Sequence, residues 1–309
     1  MKKITGLMFS GQGAQAIGMG KDLAERWAEA REVFEKGDEI LGRSLTEIMW
    51  QGPEEELTRT SNCQPALFLH GIAILEVLRK QLPDFQFAVA AGLSLGEFTA
   101  HAAGGTFSWE EGVKLVEKRG AYMENACEEN DGSMIALIGA DEFVARDLAA
   151  EADVDVANLN CPGQVVLSGE RAKIALVAGL AKEKGVRRAI ELKVAGAYHS
   201  RLMDSAALRL QEALQLVSLQ QPAYPVLCNV DAIPVSEEGQ IRKSLVDQVT
   251  GTVRWTECME KMASDYHCNQ FLELGTGNVL AGLLGKTLQE VEVHSLGTAE
   301  NLEKFLAEA

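Results

Sequence analysis

Apolar and polar positions along this chain fall into short runs and helical stripes that alternate from end to end. Ile4–Phe9 is a compact, mainly apolar run of the length of a buried strand, followed by a glycine-rich turn over Ser10–Gln15. Between Leu23 and Ile40 charged and apolar residues interleave as in a helix, and residues 44–82 predict two helical pieces. Gln64-Pro65 opens the longer piece, whose apolar stretch Ala66–Leu82 predicts a buried helix. Phe85–Ala91 is a second strand-like run. Ser108-Trp109-Glu110-Glu111 then has the serine and glutamate spacing of a capping box, which starts a helix running to about Glu128.

The texture changes at Ser133. Met134–Ile138, Val154–Leu159, Val165–Ser168 and Ala189–Val194 read as strands, and Asp141–Ala152 and Arg171–Lys184 as helices. This β-α-β-β-α-β order predicts a small ferredoxin-like subdomain over residues 129–195. Beyond it lie an amphipathic helix Leu202–Leu219, a strand Pro225–Val230 and helices Ile241–Val249 and Thr256–Tyr266. A strand Gln270–Leu274, a Gly275-Thr276-Gly277 turn into helix Leu280–Leu288, a strand Glu292–Ser295 and a last helix complete the chain. The expected fold is α/β. Residues 1–128 and 196–309 form a hydrolase-like body, a mostly parallel sheet with helices on both faces, into which the small subdomain is inserted.

Composition narrows the function. With 309 residues, 47% hydrophobic and 24% charged, the chain can bury one large core or two unequal ones. A net charge of −16 argues against a nucleic-acid or anionic-membrane surface, because both need clustered Lys and Arg. An acidic partner would need a local basic patch, and Lys182, Lys184, Arg187 and Arg188 are the densest one. The six cysteines form no C-x-x-C pair, which fits reduced thiols in a cytoplasmic protein better than disulfides or zinc. The opening MKKITGLMFSGQG is too short in apolar residues for a signal peptide, and no stretch approaches a membrane span.

The candidate chemistry starts at Gly92-Leu93-Ser94-Leu95-Gly96, which follows a strand, precedes a helix and fits the G-x-S-x-G nucleophile elbow. Ser94 is the candidate nucleophile. Gly11, Gly13 and Ala16 also satisfy G-x-G-x-x-[GA], but no second strand ending in an acid follows about 20 residues on, so a dinucleotide site is not supported. The turn is read instead as backbone close to the serine, with Gln12 or its amide available to an oxyanion. Of the five histidines, His70 and His101 lie inside helices, and His267 and His294 flank strands without a glycine-containing loop. His199, in the loop Gly196-Ala197-Tyr198-His199-Ser200, is the candidate base. No acidic third member is evident, so a backbone carbonyl or an amide side chain would orient it. Arg119 has Leu115, Val116, Tyr122 and Met123 on its own helical face. That pattern leaves open an internal ion pair, snorkelling, or a fork for a substrate carboxylate. Asn158 and Asn160 on a strand edge are candidate polar contacts or turn formers.

Seven segments taken in order, FSGQGAQ, GLSLGEF, KRGAYM, NLNCPGQVVLSG, GAYHSRLM, LVDQVTGTVRW and FLELGTGNVL, resemble the malonyl-CoA:acyl carrier protein transacylases and the related acyltransferase domains of polyketide synthases. The similarity spans the whole chain. It implies that Ser94 is acylated, that His199 is its base, that Arg119 is the carboxylate fork and that the Gln12 and Leu95 amides form the oxyanion hole. Gln248 would supply the carbonyl that orients His199. The resemblance implies ping-pong transfer of malonyl from malonyl-CoA to the phosphopantetheine thiol of acyl carrier protein, for fatty acid synthesis, by a monomer with no cofactor or metal. The alternatives are a trans-acting polyketide synthase acyltransferase, a serine acyl hydrolase, or a carrier-binding scaffold with a dead site. Two positions depart from the family pattern. Leu93 stands where a histidine is usual, and Tyr198 where malonyl-selective members usually have phenylalanine.

Overall fold

A computed structural model of the chain describes residues 3–309. Among these residues, eight strands form two separate sheets. The first contains β1 (Thr5–Phe9), β2 (Val89–Gly92), β7 (Gln270–Leu274) and β8 (Glu292–Ser295) in the order β2-β1-β7-β8, all parallel. The second contains β3 (Gly132–Ile138), β4 (Asp155–Cys161), β5 (Gln164–Glu170) and β6 (Arg188–Glu191) in the order β4-β5-β3-β6, all antiparallel.

Successive residues of a strand point to opposite faces, and β1 buries both. Leu7 and Phe9 enter the larger core with Phe68 and Ile72 of helix Thr60–Gln81, whereas Met8 enters a second core with Trp255, Met259 and Met262 of helix Trp255–Ser264. Helices therefore cover both faces of the parallel sheet. The register pairs Phe9 with Gly92 on one side and with Leu274 on the other, so β1, β2 and β7 end level at one edge. The second sheet has its own core, in which Ile135, Leu137 and Leu167 pack against Leu148 and Val177 of helices Glu142–Ala152 and Arg171–Glu183.

Several expected elements differ. Only Val89–Gly92 of the run from Phe85 is strand. Phe85 closes a turn onto the Leu82 carbonyl, and Phe87 stacks on Tyr224 with ring centroids 4.1 Å apart. The long helix begins at Thr60, five residues before Pro65. The Ser61 carbonyl, which Pro65 cannot serve, accepts from Arg43 Nη2 at 3.3 Å. Residues 44–58 form two short helices, Leu45–Gln51 and Glu54–Thr58, so the region has three helical pieces. Pro225–Val230 is not a strand: its backbone pairs with β2 only at the bridge of Val226 to Ala90, and it then bends back so that Leu227 pairs with Pro234. The region expected as helix Leu202–Leu219 is a 3-10 turn Arg201–Met203 followed by helix Asp204–Gln215. Among the described residues no helix is long and apolar enough to cross a membrane, and the six cysteines are free thiols.

Candidate active site

At the level edge of the parallel sheet, β2 leads into helix Leu95–Gly104 through Ser94, whose φ of 55° and ψ of −108° lie outside the regions an L residue favours. Such backbone costs about 1–3 kcal/mol and persists only where its surroundings impose it. The two glycines permit the bend by close approach: a Cβ on Gly92 would lie 1.9 Å from the Gly96 carbonyl carbon, and one on Gly96 would lie 2.1 Å from the Phe9 oxygen. Side chains from distant segments hold the turn. Asn229 Oδ1 accepts from the Ser94 amide at 2.7 Å and Asn229 Nδ2 donates to the Gly92 carbonyl at 2.8 Å. Gln248 Nε2 donates to the Ser94 carbonyl at 2.9 Å.

His199 reaches the serine from a loop in which its own φ is 56°. Its Nε2 lies 2.8 Å from Ser94 Oγ, and its Nδ1 lies 2.7 Å from the Gln248 backbone oxygen. Because that oxygen can only accept, Nδ1 carries the proton and Nε2 is free to accept from the Ser94 hydroxyl. Burial, reinforced by the nearby Arg119 charge, lowers the His199 pKa to about 4, so the imidazole is neutral at physiological pH.

Arg119 is buried on helix Trp109–Glu129, and its partners are neutral. Nη1 donates to Gln64 Oε1 at 2.6 Å, and Nη2 donates to Gln248 Oε1 at 2.7 Å and to Ser94 Oγ at 3.1 Å. The guanidinium also lies over the Phe98 ring, 5.1 Å from its centroid. Burial lowers its pKa to about 10, which still leaves it cationic. A buried cation without an ion-pair partner among the described residues is suited to an incoming carboxylate.

The loop carrying Gln12 rides on the elbow, since a Cβ at Gly11 would lie 2.4 Å from the Leu93 carbonyl oxygen. Gln12 Nε2 lies 3.4 Å from both Thr60 Oγ1 and Tyr198 Oη, which share a hydrogen bond of 2.6 Å. Leu95 opens the helix after Ser94, so its amide belongs to the first turn, where N–H groups lack intrahelical acceptors. Gln12, Ser94, His199, Tyr198, Asn158 and Asn160 line one cavity of about 320 Å³. Arg119 and Gln248 do not line that cavity but adjoin it through their hydrogen bonds to Ser94. Among the described residues, buried Asn160 Oδ1 has no hydrogen-bond partner.

Three of the other histidines are engaged elsewhere, and His267 is exposed at the surface. His70 Nε2 contacts the Gly297 oxygen at 3.1 Å and His101 Nδ1 contacts Thr106 Oγ1 at 2.9 Å, both in the core. His294 pairs with Glu292. Within the basic cluster, Lys184 is tied to Asp147 and Glu151, whereas Lys182, Arg187 and Arg188 are exposed.

Three residues that sequence reasoning missed complete the site. Gln64 faces Arg119, Asn229 braces the elbow, and buried Glu97 accepts from Asn229 N at 2.9 Å and from Gln248 Nε2 at 2.8 Å. Burial raises the Glu97 pKa to about 7 against those two hydrogen bonds and the Arg119 charge. Glu97 was within view of the elbow motif, three residues after Ser94. Asn229 gave no local signal, because its role depends on a segment 135 residues away folding back onto β2.

The family described as acyl transferase domain matches residues 7–304. The chain is 38% identical to the malonyl CoA-acyl carrier protein transacylase of Bacillus subtilis, over 98% of this chain and 96% of that protein. It superposes on the acyl-carrier-protein S-malonyltransferase of Bartonella henselae with a TM-score of 0.94 and 37% identity, covering 99% of each chain. It is likewise similar to a malonyl-transacylase solved in complex with a type II polyketide synthase acyl-carrier protein, with a TM-score of 0.95, 33% identity and coverage of 99% and 100%.

Proposed function

The chain belongs to the acyl transferase family and, within it, to the malonyl-CoA:acyl carrier protein transacylases, and on that premise we propose how its own residues carry malonyl from coenzyme A to a carrier thiol. The enzyme is an acyl-carrier-protein S-malonyltransferase. The observation that carries the assignment of roles is that one atom, Ser94 Oγ, lies between His199 Nε2 at 2.8 Å and Arg119 Nη2 at 3.1 Å. A base and a carboxylate fork thus meet at one nucleophile.

In the first half-reaction the malonyl carboxylate binds the Arg119 guanidinium, taking over the donor that Nη2 lends to the serine. Ser94 Oγ attacks the thioester carbonyl carbon while its proton passes to His199 Nε2. The Gln248 carbonyl accepts from Nδ1–H throughout and steadies the imidazolium. The bound carboxylate also offsets the Arg119 charge that depresses His199, so the base strengthens when malonyl arrives. The Gln12 and Leu95 amides are the proposed donors to the tetrahedral oxyanion. Collapse breaks the carbon–sulfur bond, and the departing coenzyme A sulfur takes the proton from His199. In the second half-reaction the phosphopantetheine thiol gives its proton to His199 and attacks the Ser94 ester. The serine oxygen leaves and recovers that proton.

Residues 129–195 are the proposed small subdomain, and the large one is 1–128 with 196–309. The cavity between nucleophile and solvent takes Asn158 and Asn160 from the first and Ser94 and His199 from the second. Supply of malonyl carrier protein to fatty acid synthesis is the first reading, and the six free thiols support a reducing, cytoplasmic setting. Likeness to the transacylase solved with a polyketide carrier favours a second reading, service to a polyketide synthase. Competition between a fatty acid and a polyketide carrier protein for the Ser94-bound malonyl group decides between them. Release of malonate to water at the rate of transfer would contradict both and indicate a hydrolase.

A further inference from the structure

Among the described residues the Glu97 carboxylate hydrogen-bonds to neither Ser94 nor His199, although the Glu97 amide donates to the Ser94 carbonyl at 3.1 Å, yet both depend on groups that the carboxylate holds. Its Oε2 accepts two hydrogen bonds, from the Asn229 amide at 2.9 Å and from Gln248 Nε2 at 2.8 Å. Asn229 fixes the elbow from one side, through the Ser94 amide at 2.7 Å and the Gly92 carbonyl at 2.8 Å. Gln248 fixes it from the other, through the Ser94 carbonyl at 2.9 Å, and its own backbone oxygen sets the His199 tautomer at 2.7 Å. The Gln248 side-chain oxygen in turn accepts from Arg119 Nη2 at 2.7 Å. Glu97, Asn229 and Gln248 are all fully buried, so water cannot stand in for a lost partner. A backbone as strained as that of Ser94 keeps its shape only if its surroundings impose it, and these two amides supply side-chain hydrogen bonds to that backbone.

We propose that Glu97 is a positioning residue for malonyl transfer. Its single oxygen Oε2 ties Asn229 to Gln248 and so fixes the distance and angle between Ser94 and His199. What it contributes is an acceptor at a fixed place, which a neutral amide of the same length also provides. The proposal rests on the assignment of Ser94 and His199 above.

The test compares E97Q, which keeps an acceptor oxygen at that place, with E97L, which fills the space with none, and with E97D, which withdraws the acceptor by one methylene. Each is assayed for malonyl transfer and for labelling by phenylmethanesulfonyl fluoride. In that labelling Ser94 Oγ bonds to sulfur, fluoride leaves and His199 takes the proton. The probe has no carboxylate and bypasses Arg119, so it reports on the dyad alone. Misplacement of reacting groups by about 1 Å costs about a hundredfold. Labelling and kcat should therefore fall about a hundredfold in E97L and about tenfold in E97D, with KM for malonyl-CoA little changed, and E97Q should stay within about fivefold of wild type. A purely structural role would lower Tm without moving kcat in the folded enzyme. Wild-type labelling in folded E97L, or equal losses in E97Q and E97L, would overturn the proposal. If E97L does not fold, E97D decides: wild-type labelling in folded E97D overturns the proposal in the same way. S94A is the control: if it still labels and turns over, the site assignment itself fails, whereas an inert S94A beside a fully active E97L refutes Glu97 alone.

Discussion

Arg119 Nη2 donates a hydrogen bond to Ser94 Oγ at 3.1 Å, so the buried cation and the nucleophile are in direct contact. Arg119→Ala should weaken malonyl transfer specifically. Truncating one partner of a buried charge pair costs about 2–5 kcal/mol, which corresponds to a loss of about thirtyfold to a few thousandfold in kcat/KM. Acetyl-CoA carries no carboxylate at that end and should lose little. Comparison of the two thioesters in wild type and variant checks this, with circular dichroism to confirm folding because Gln64 and Gln248 lose a donor. Equal losses for both thioesters would make Arg119 structural.

The acid limb of the pH profile follows from His199. Its pKa is lowered to about 4 from an ordinary 6.5, so the base stays neutral and kcat/KM should hold from pH 7 to below 6 and fall only toward 4. Arg119 is one of the two causes of that depression. In the R119A enzyme, assayed with acetyl-CoA, the acid limb should therefore move up toward 6.5. An unchanged limb would mean that burial alone sets it.

Stability should depend on pH in two opposed senses. Burial lowers His70 and His199 to about 4 and His101 to about 3, so the unfolded chain binds protons that the folded one refuses. The contribution of these histidines is present above pH 6.5 and is lost as pH falls toward 4. Glu97, raised from 4.5 to about 7, acts oppositely: its contribution is fully present below 4.5 and is lost as pH rises through 7. Thermal unfolding of wild type should show Tm rising from pH 4 to 6.5, and E97Q should lose less stability than wild type between pH 6 and 8. The same slope in both proteins above pH 6 would contradict a buried, titrating Glu97.

Tyr198 and Thr60 share a 2.6 Å hydrogen bond beside Gln12. Tyr198→Phe removes it but leaves Thr60 Oγ1 within 3.4 Å of Gln12 Nε2. The cost should be about 1 kcal/mol, a fall in Tm of roughly 2 °C, with malonyl kcat within about threefold of wild type. A loss of transfer beyond tenfold at unchanged Tm would place the hydroxyl in the chemistry.

The parallel sheet was legible in the chain because β1, β2 and β7 are short apolar runs buried on both faces, and Gln270–Leu274 and Glu292–Ser295 match residue for residue. Pro225–Val230 was misread because an apolar run of that length specifies burial and not pairing, and its pairing is a single bridge to Ala90. Pro65 misplaced a helix start because the donor that replaces its missing hydrogen bond, Arg43, lies 18 residues away from Ser61. Ser94, Arg119 and His199 announced themselves by motif, by apolar neighbours and by loop context. The residues that hold them did not: Asn229 and Gln64 matter only through contacts that span 135 and 55 residues.

Ping-pong transfer requires a covalent malonyl intermediate at Ser94. Intact-mass measurement after brief mixing with malonyl-CoA, without carrier protein, should show one malonyl-sized increment. Peptide mapping should place it on Ser94, and a phosphopantetheine-bearing carrier protein should discharge it. S94A should show no increment. An S94A protein that acquires the same increment, or a wild-type enzyme that turns over without ever acquiring it, would contradict the ping-pong mechanism and the assignment of its nucleophile.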